Sequence, residues 1–151
     1  MKKYIILICI VLFMGVIFLF SNVKGEESDR QSIGLLENTI GNIASIIDKD
    51  ITEEEKNELY LRLNYPLRKT AHVLEFFALS LLICLFLHNL NIDMLKVIIF
   101  TFIISFAFAC GDEIHQLFVP NRNGCFLDVM IDTIGILILL IIYYFKERRK
   151  V

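Results

Sequence analysis

Apolar residues in this chain are gathered into four long runs, each bounded by charged or turn-forming residues. The runs lie at about 3–20, 70–88, 94–116 and 126–145. Each is near or above the eighteen or so residues that cross about 30 Å of hydrocarbon as an α-helix, and longer than a strand or a soluble core helix requires. The pattern predicts an all-α polytopic membrane protein with four transmembrane helices, forming a single membrane domain over 1–151. Lys2 and Lys3 before the first run resemble a signal peptide, but the run outlasts the usual h-region of about 7–15 residues and no small-residue cleavage site follows. It is read as a retained span.

The first loop, 21–66, has a pattern of its own. Leu36, Ile40, Ile43 and Ile47 recur at helical spacing, and Thr52 with Glu55 reads as a capping box opening another helix that ends near Pro66. Short amphipathic helices in the first extracytoplasmic loop are therefore expected, lying on the membrane surface or forming a lid. Four spans place both termini on one side. The lysines at the start and the KERRK cluster at the end favour the cytoplasm.

Composition agrees with this reading. The chain is 56% hydrophobic, against about 45–50% for soluble domains. A net charge of −2 supplies no field for nucleic acid, and no phosphate loop, dinucleotide fingerprint or zinc-finger spacing occurs. The four cysteines, Cys9, Cys84, Cys110 and Cys125, form no CxxC pair and suggest packing rather than a disulfide framework.

The informative residues are ionisable ones within or beside apolar runs. Arg68, Lys69, His72 and Glu75 open the second run. Asp112, Glu113, His115 and Gln116 close the third. Asp128 and Asp132 open the fourth, and Arg122 sits in the intervening VPNRNG turn. Alternating spans bring these three ends to one face, the outer one if the termini are inside. Counting from the interface, His72 and Asp112 lie roughly 6 Å deep, Asp132 roughly 9 Å and Glu75 roughly 10 Å. Spacings of three and four place Arg68, His72 and Glu75 on one stripe, Asp112 with His115 on a second, and Asp128 with Asp132 on a third. A carboxylate at mid-bilayer costs about 2.5–3.5 kcal/mol, so such stripes should face one another or a wet cavity. The alternative is a salt-bridge knot that fixes helix register.

Acids and histidines together suit general acid–base chemistry or a divalent cation, but the spacing itself assigns no metal set. The basic residues suit an anionic headgroup or phosphate. The turn is expected to aim Arg122 back over the cluster, with Pro120 ending the helix and Asn123-Gly124 tolerating positive φ. Gly135 should allow close helix approach.

At these positions the chain resembles the VanZ-like family. The resemblance rests on LRKTAHVLEFFAL (67–79), GDEIHQLFVPNRNG (111–124) and FLDVMIDTIG (126–135), with FSNVKGEES (20–28) after the first run. Phe76 fits the family's aromatic after Glu75, whereas Asn121 stands where the family usually has Gly. The resemblance implies a multi-pass bacterial plasma-membrane protein whose signature polar positions are the eleven residues above. The family's namesake is associated with low-level resistance to the glycopeptide teicoplanin. Three functions follow as expectations. The first is an envelope factor whose outer-face site binds an anionic lipid or lipid-linked wall precursor. The second is an enzyme, a hydrolase or transferase acting on such a lipid, with His72, Glu75, Asp112 and His115 as candidate catalytic groups. The third, a transporter, is disfavoured because the other half of every span is apolar. Cofactor and oligomeric state are not fixed by the sequence.

Overall fold

The computed structural model describes residues 2–23, 33, 34, 36, 52–122 and 124–149. Four long helices make up almost all of it: α1 (Lys2–Ser21), α2 (Glu53–His88), α3 (Met94–Gln116) and α4 (Phe126–Arg148). Among the described residues there is no strand. All four helices are long and apolar enough to cross a membrane. α2 packs against each of the other three, α3 also contacts α1 and α4, and α1 does not reach α4.

The distribution of polarity is the reverse of a water-soluble bundle. Tyr4, Ile5, Val11, Leu19, Ile103, Ile114, Leu127 and Ile141 are among many large apolar side chains left exposed. The buried set includes Ser21, Ser80, Thr101, Ser105, Asp112, Glu113, Gln116, Asp132 and Thr133. On α3 the buried residues run Val97, Thr101, Ser105, Ala109, Asp112, Glu113 and Gln116, a stripe at spacings of three and four. Small and polar residues thus face neighbouring helices, as expected where hydrocarbon solvates the outside. Ser80 Oγ donates to Phe76 O at 2.7 Å and stands 3.0 Å from Ser105 Oγ, joining α2 to α3 in the middle of the bundle.

α2 departs from expectation at one point. Its N-terminus is capped as the sequence predicts: Thr52 Oγ1 accepts from the Glu55 amide at 3.3 Å and Glu55 Oε2 accepts from the Thr52 amide at 3.0 Å. The helix does not stop near Pro66, however, but runs through it for 36 residues to His88. Proline removes one amide donor, not the whole ladder, and packing on either side offsets the loss. Thr70 Oγ1 donates to Pro66 O at 2.8 Å. At 1.5 Å per residue the first dozen or so residues add roughly 20 Å of helix before the apolar part begins. Tyr60 on this section is buried with Leu36, flanked by Ile33, Leu59 and Leu67. Ile33, Gly34 and Leu36 are helical. The remaining positions of the expected stripe, Ile40, Ile43 and Ile47, lie outside the described residues.

The closest backbone approach is at Gly135. A Cβ there would strike Val73 O and crowd the amide of Phe77, so α4 lies directly against α2. A Cβ on Gly111 would meet nothing within 4 Å. Gly135→Val is therefore expected to destabilise the protein by about 1–3 kcal/mol through overpacking. Gly111→Ala should be neutral or stabilising by up to about 1 kcal/mol. Thermal unfolding in detergent, followed by circular dichroism, measures both; equal midpoints for the two variants would contradict the α2–α4 contact.

Candidate functional site

The polar side chains singled out by the sequence gather at the end of the bundle where α1 and α3 finish and α4 begins. They divide into groups with different partners.

On α2, Lys69 Nζ meets Asp128 Oδ1 of α4 at 2.5 Å, with both side chains mostly covered. Asp128 also stands in the first turn of α4, where a negative charge complements the helix dipole. One turn deeper, His72 Nδ1 lies 3.6 Å from Glu75 Oε2 and 3.9 Å from Asp132 Oδ1. Neither separation is a hydrogen bond. Asp132 is 1% exposed and contributes from α4. Asp112 of α3 exerts its charge on His72, Glu75 and Asp132, and Arg68, Lys69 and Arg122 act on His72. Three helices thus share one electrostatic neighbourhood.

Asp112 ties α1 into the same end. Its Oδ2 accepts from Ser21 Oγ and from Gln116 Nε2, both at 2.8 Å. Glu113 is engaged elsewhere. Its Oε2 accepts the Cys125 amide at 2.8 Å, satisfying an amide at the start of α4. His115 does not face the α2–α4 group. Its ring stacks on Phe18 at 4.2 Å, so it belongs to the α1–α3 contact.

The turn differs from expectation in two ways. The positive φ falls on Asn121, at 59°, and Gly124 does not take one. Asn is among the residues that tolerate this conformation, which is where glycine would be easiest. Gly124 is instead constrained by space, because a Cβ there would collide with Glu113 O. Asn123 lies outside the described residues. Arg122 does not simply reach over the acids. Its Nε donates to Val23 O at 2.9 Å and its Nη2 to Phe20 O at 3.1 Å, so the guanidinium closes the carbonyl end of α1. Sequence reasoning missed Ser21 as part of the site. Ser21 shares one face with the buried Ile10 and Ile17, at spacings of seven and four, but in so apolar a helix nothing in the sequence marks that face.

Several buried polar atoms at this end lack a hydrogen-bond partner: His72 Nδ1, Asp112 Oδ1, His115 Nε2 and Asp132 Oδ2. Asp112 and Asp132 are almost wholly buried. An unsatisfied buried polar group costs about 1–3 kcal/mol, more when charged, so these atoms require a further polar partner. Separately, a groove of about 260 Å³ opens between the end of α3 and the start of α4, lined by residues that include Cys110, Glu113, Ile114, Leu117, Phe126 and Val129.

An all-helical bundle with an apolar exterior and charged residues collected inside one end defines a multi-pass membrane protein with a buried polar cluster. Residues 5–147 match the family model described as VanZ/LLP1. The chain belongs to that family. A 46-residue stretch is 50% identical to the "Uncharacterized membrane protein YwnJ" of Bacillus subtilis (strain 168), covering 30% of this chain and about a third, 32%, of that protein's length. No solved structure matches.

The Lys69–Asp128 pair gives a direct test of how far this end is shielded from water. Removing one partner, as in Asp128→Leu or Lys69→Met alone, should cost about 1–3 kcal/mol, between the values for exposed and fully buried pairs. The combined change Lys69→Met with Asp128→Leu should recover most of it. A double-mutant cycle by thermal unfolding in detergent checks this, and strictly additive effects would show that the charges do not interact.

Proposed function

We propose that the chain lies in a bacterial plasma membrane with both termini in the cytoplasm, and that its polar chamber opens outward and holds the headgroup of a lipid-linked cell-wall precursor. The observation that carries this reading is the set of unpartnered buried atoms on Asp112, Asp132 and His72. Carboxylate oxygens without donors suit the hydroxyl and amide groups of a saccharide–peptide headgroup better than an unadorned phosphate. Arg68 and Lys69, one turn nearer the membrane surface, suit the phosphates that join such a headgroup to its lipid. The groove beside Glu113 offers hydrocarbon surface to the first part of the tail. The orientation rests on Lys2, Lys3 and the terminal KERRK cluster. Holding the precursor changes how readily a glycopeptide reaches it, which is how the chain contributes to teicoplanin resistance.

Reconstituted protein should bind a labelled polyprenyl-pyrophosphate-linked saccharide at least tenfold more tightly than phosphatidylglycerol. Asp112→Asn and Asp132→Asn should each lose at least tenfold, and cells carrying them should lose any resistance at unchanged protein level. Equal binding of phosphatidylglycerol would replace the precursor by an ordinary anionic lipid. Headgroup-independent binding would remove the chamber from the function altogether.

One observation favours a second reading, an enzyme of the hydrolase or transferase class. His72 Nδ1 stands between Glu75 and Asp132, an imidazole flanked by carboxylates as in general acid–base catalysis. Incubation with the same labelled lipids decides it: a released product lost in His72→Ala and Glu75→Gln establishes catalysis, and intact lipid across the panel excludes it for those substrates.

A further inference from the structure

The opposite end of the bundle from the polar cluster, where α3 begins and α4 finishes, carries a feature of its own. Leu95, Ile99 and Ile103 recur every four residues on α3, and Leu137, Ile141 and Phe145 do the same on α4. That spacing keeps each row on one helix face. All six side chains are exposed, and between the rows runs a groove of about 650 Å³. Sites for small ligands enclose about 300–1,000 Å³. Each row covers eight helical steps, roughly 12 Å, against roughly 15 Å for half of the bilayer's hydrocarbon. The groove is therefore about one leaflet deep.

Its mouth is basic. Tyr144 lines the groove, and the guanidinium carbon of Arg148 stands 5.3 Å from the centroid of that ring, a cation–π contact. Arg149 follows Phe145 by four residues and continues the same row. The acids at this end are directed elsewhere: Asp93 pairs with Lys96 at 3.1 Å, and Glu147 lines a separate cavity between α2 and α4.

We propose that this groove holds an acyl chain of an anionic phospholipid whose phosphate lies against Arg148 and Arg149. In the orientation proposed above, the lipid belongs to the cytoplasmic leaflet. Depth and charge both favour this occupant over a second copy of the chain. A helix of another copy crosses the whole bilayer, whereas the groove covers one leaflet. A copy packed in the same orientation also brings its own basic end against this one, and like charges repel. A phosphodiester offers the arginine forks the oxygens they match. No residue of the polar cluster takes part, so the proposal does not rest on the headgroup reading.

The test uses full-length protein in detergent, titrated with phosphatidylglycerol or with phosphatidylcholine of the same acyl chains and read by native mass spectrometry. One phosphatidylglycerol per chain should bind at least fivefold more tightly than phosphatidylcholine. Arg148→Gln combined with Arg149→Gln should abolish that preference. Ile103→Trp, which fills the groove, should weaken phosphatidylglycerol binding at least fivefold. Ile138→Trp, exposed but outside the groove, should stay within twofold, and so should Asp112→Asn at the far end. Equal affinity for the two lipids, a preference that survives the arginine changes, or one lost in Asp112→Asn overturns the proposal. So does a dimer that Ile103→Trp dissociates, which assigns the groove to a second copy. Photoactivatable phosphatidylglycerol in bacterial membranes covers the case in which a variant misfolds. Its label should concentrate on residues 95–103 and 137–145, and an even spread over the exposed faces of all four helices shows bulk lipid only and overturns the site. Precursor binding should persist in the arginine variant, so the two readings fail separately.

Discussion

Everything in this bundle follows from one constraint: a polar group on a helix bathed in hydrocarbon must find a partner inside the protein or at a wet boundary. The constraint sorts residues with little help from propensity. α1 is apolar on all sides and offers its neighbours only the face with Ile10, Ile17 and Ser21. α3 and α4 turn inward the faces with serine, threonine, glycine and carboxylates, leaving isoleucine, leucine and phenylalanine outside. Small residues permit the backbones of α2 and α4 to meet at Gly135, and that contact holds Asp132 against His72.

The same constraint explains why so much of the architecture is legible in the chain. Long apolar runs have one reading at these lengths, and an acid within such a run is costly enough to announce a shared interior. Asp112, Asp132, His72 and Glu75 are therefore recognisable as a group from their positions in the sequence. What the pattern does not supply is division of labour. His115 sits three residues from Asp112, a spacing that allows a common face, yet its ring is drawn to Phe18 on α1. Arg122 has the charge to sit over acids, yet the carbonyls of Phe20 and Val23 at the end of α1 lie within its reach. Both outcomes depend on where α1 packs, and a helix that is apolar all round carries almost no directional signal.

Pro66 and the VPNRNG turn show a different limit. Proline is a reliable terminator in a short soluble helix, but here good capping at Thr52 and packing of Tyr60 and Leu67 keep the helix going. In the turn, local chemistry pointed to Asn123-Gly124 as tolerant of the unusual backbone, whereas among the described residues of the turn it falls on Asn121 and not on Gly124. Gly124 is needed for a long-range reason, the carbonyl of Glu113 pressed against it. Such contacts have no trace in a turn's own sequence.

The attachment of α1 has a consequence of its own. Its polar fastenings among the described residues, Ser21 to Asp112, Arg122 to Phe20 and Val23, and His115 against Phe18, all lie within its last turn or just beyond it. Over the rest of its length α1 is held to its neighbours by dispersion alone, much as lipid would hold it. It is a mast stepped at one foot. Whatever rearranges the carboxylates at that foot alters the polar footing of the first helix.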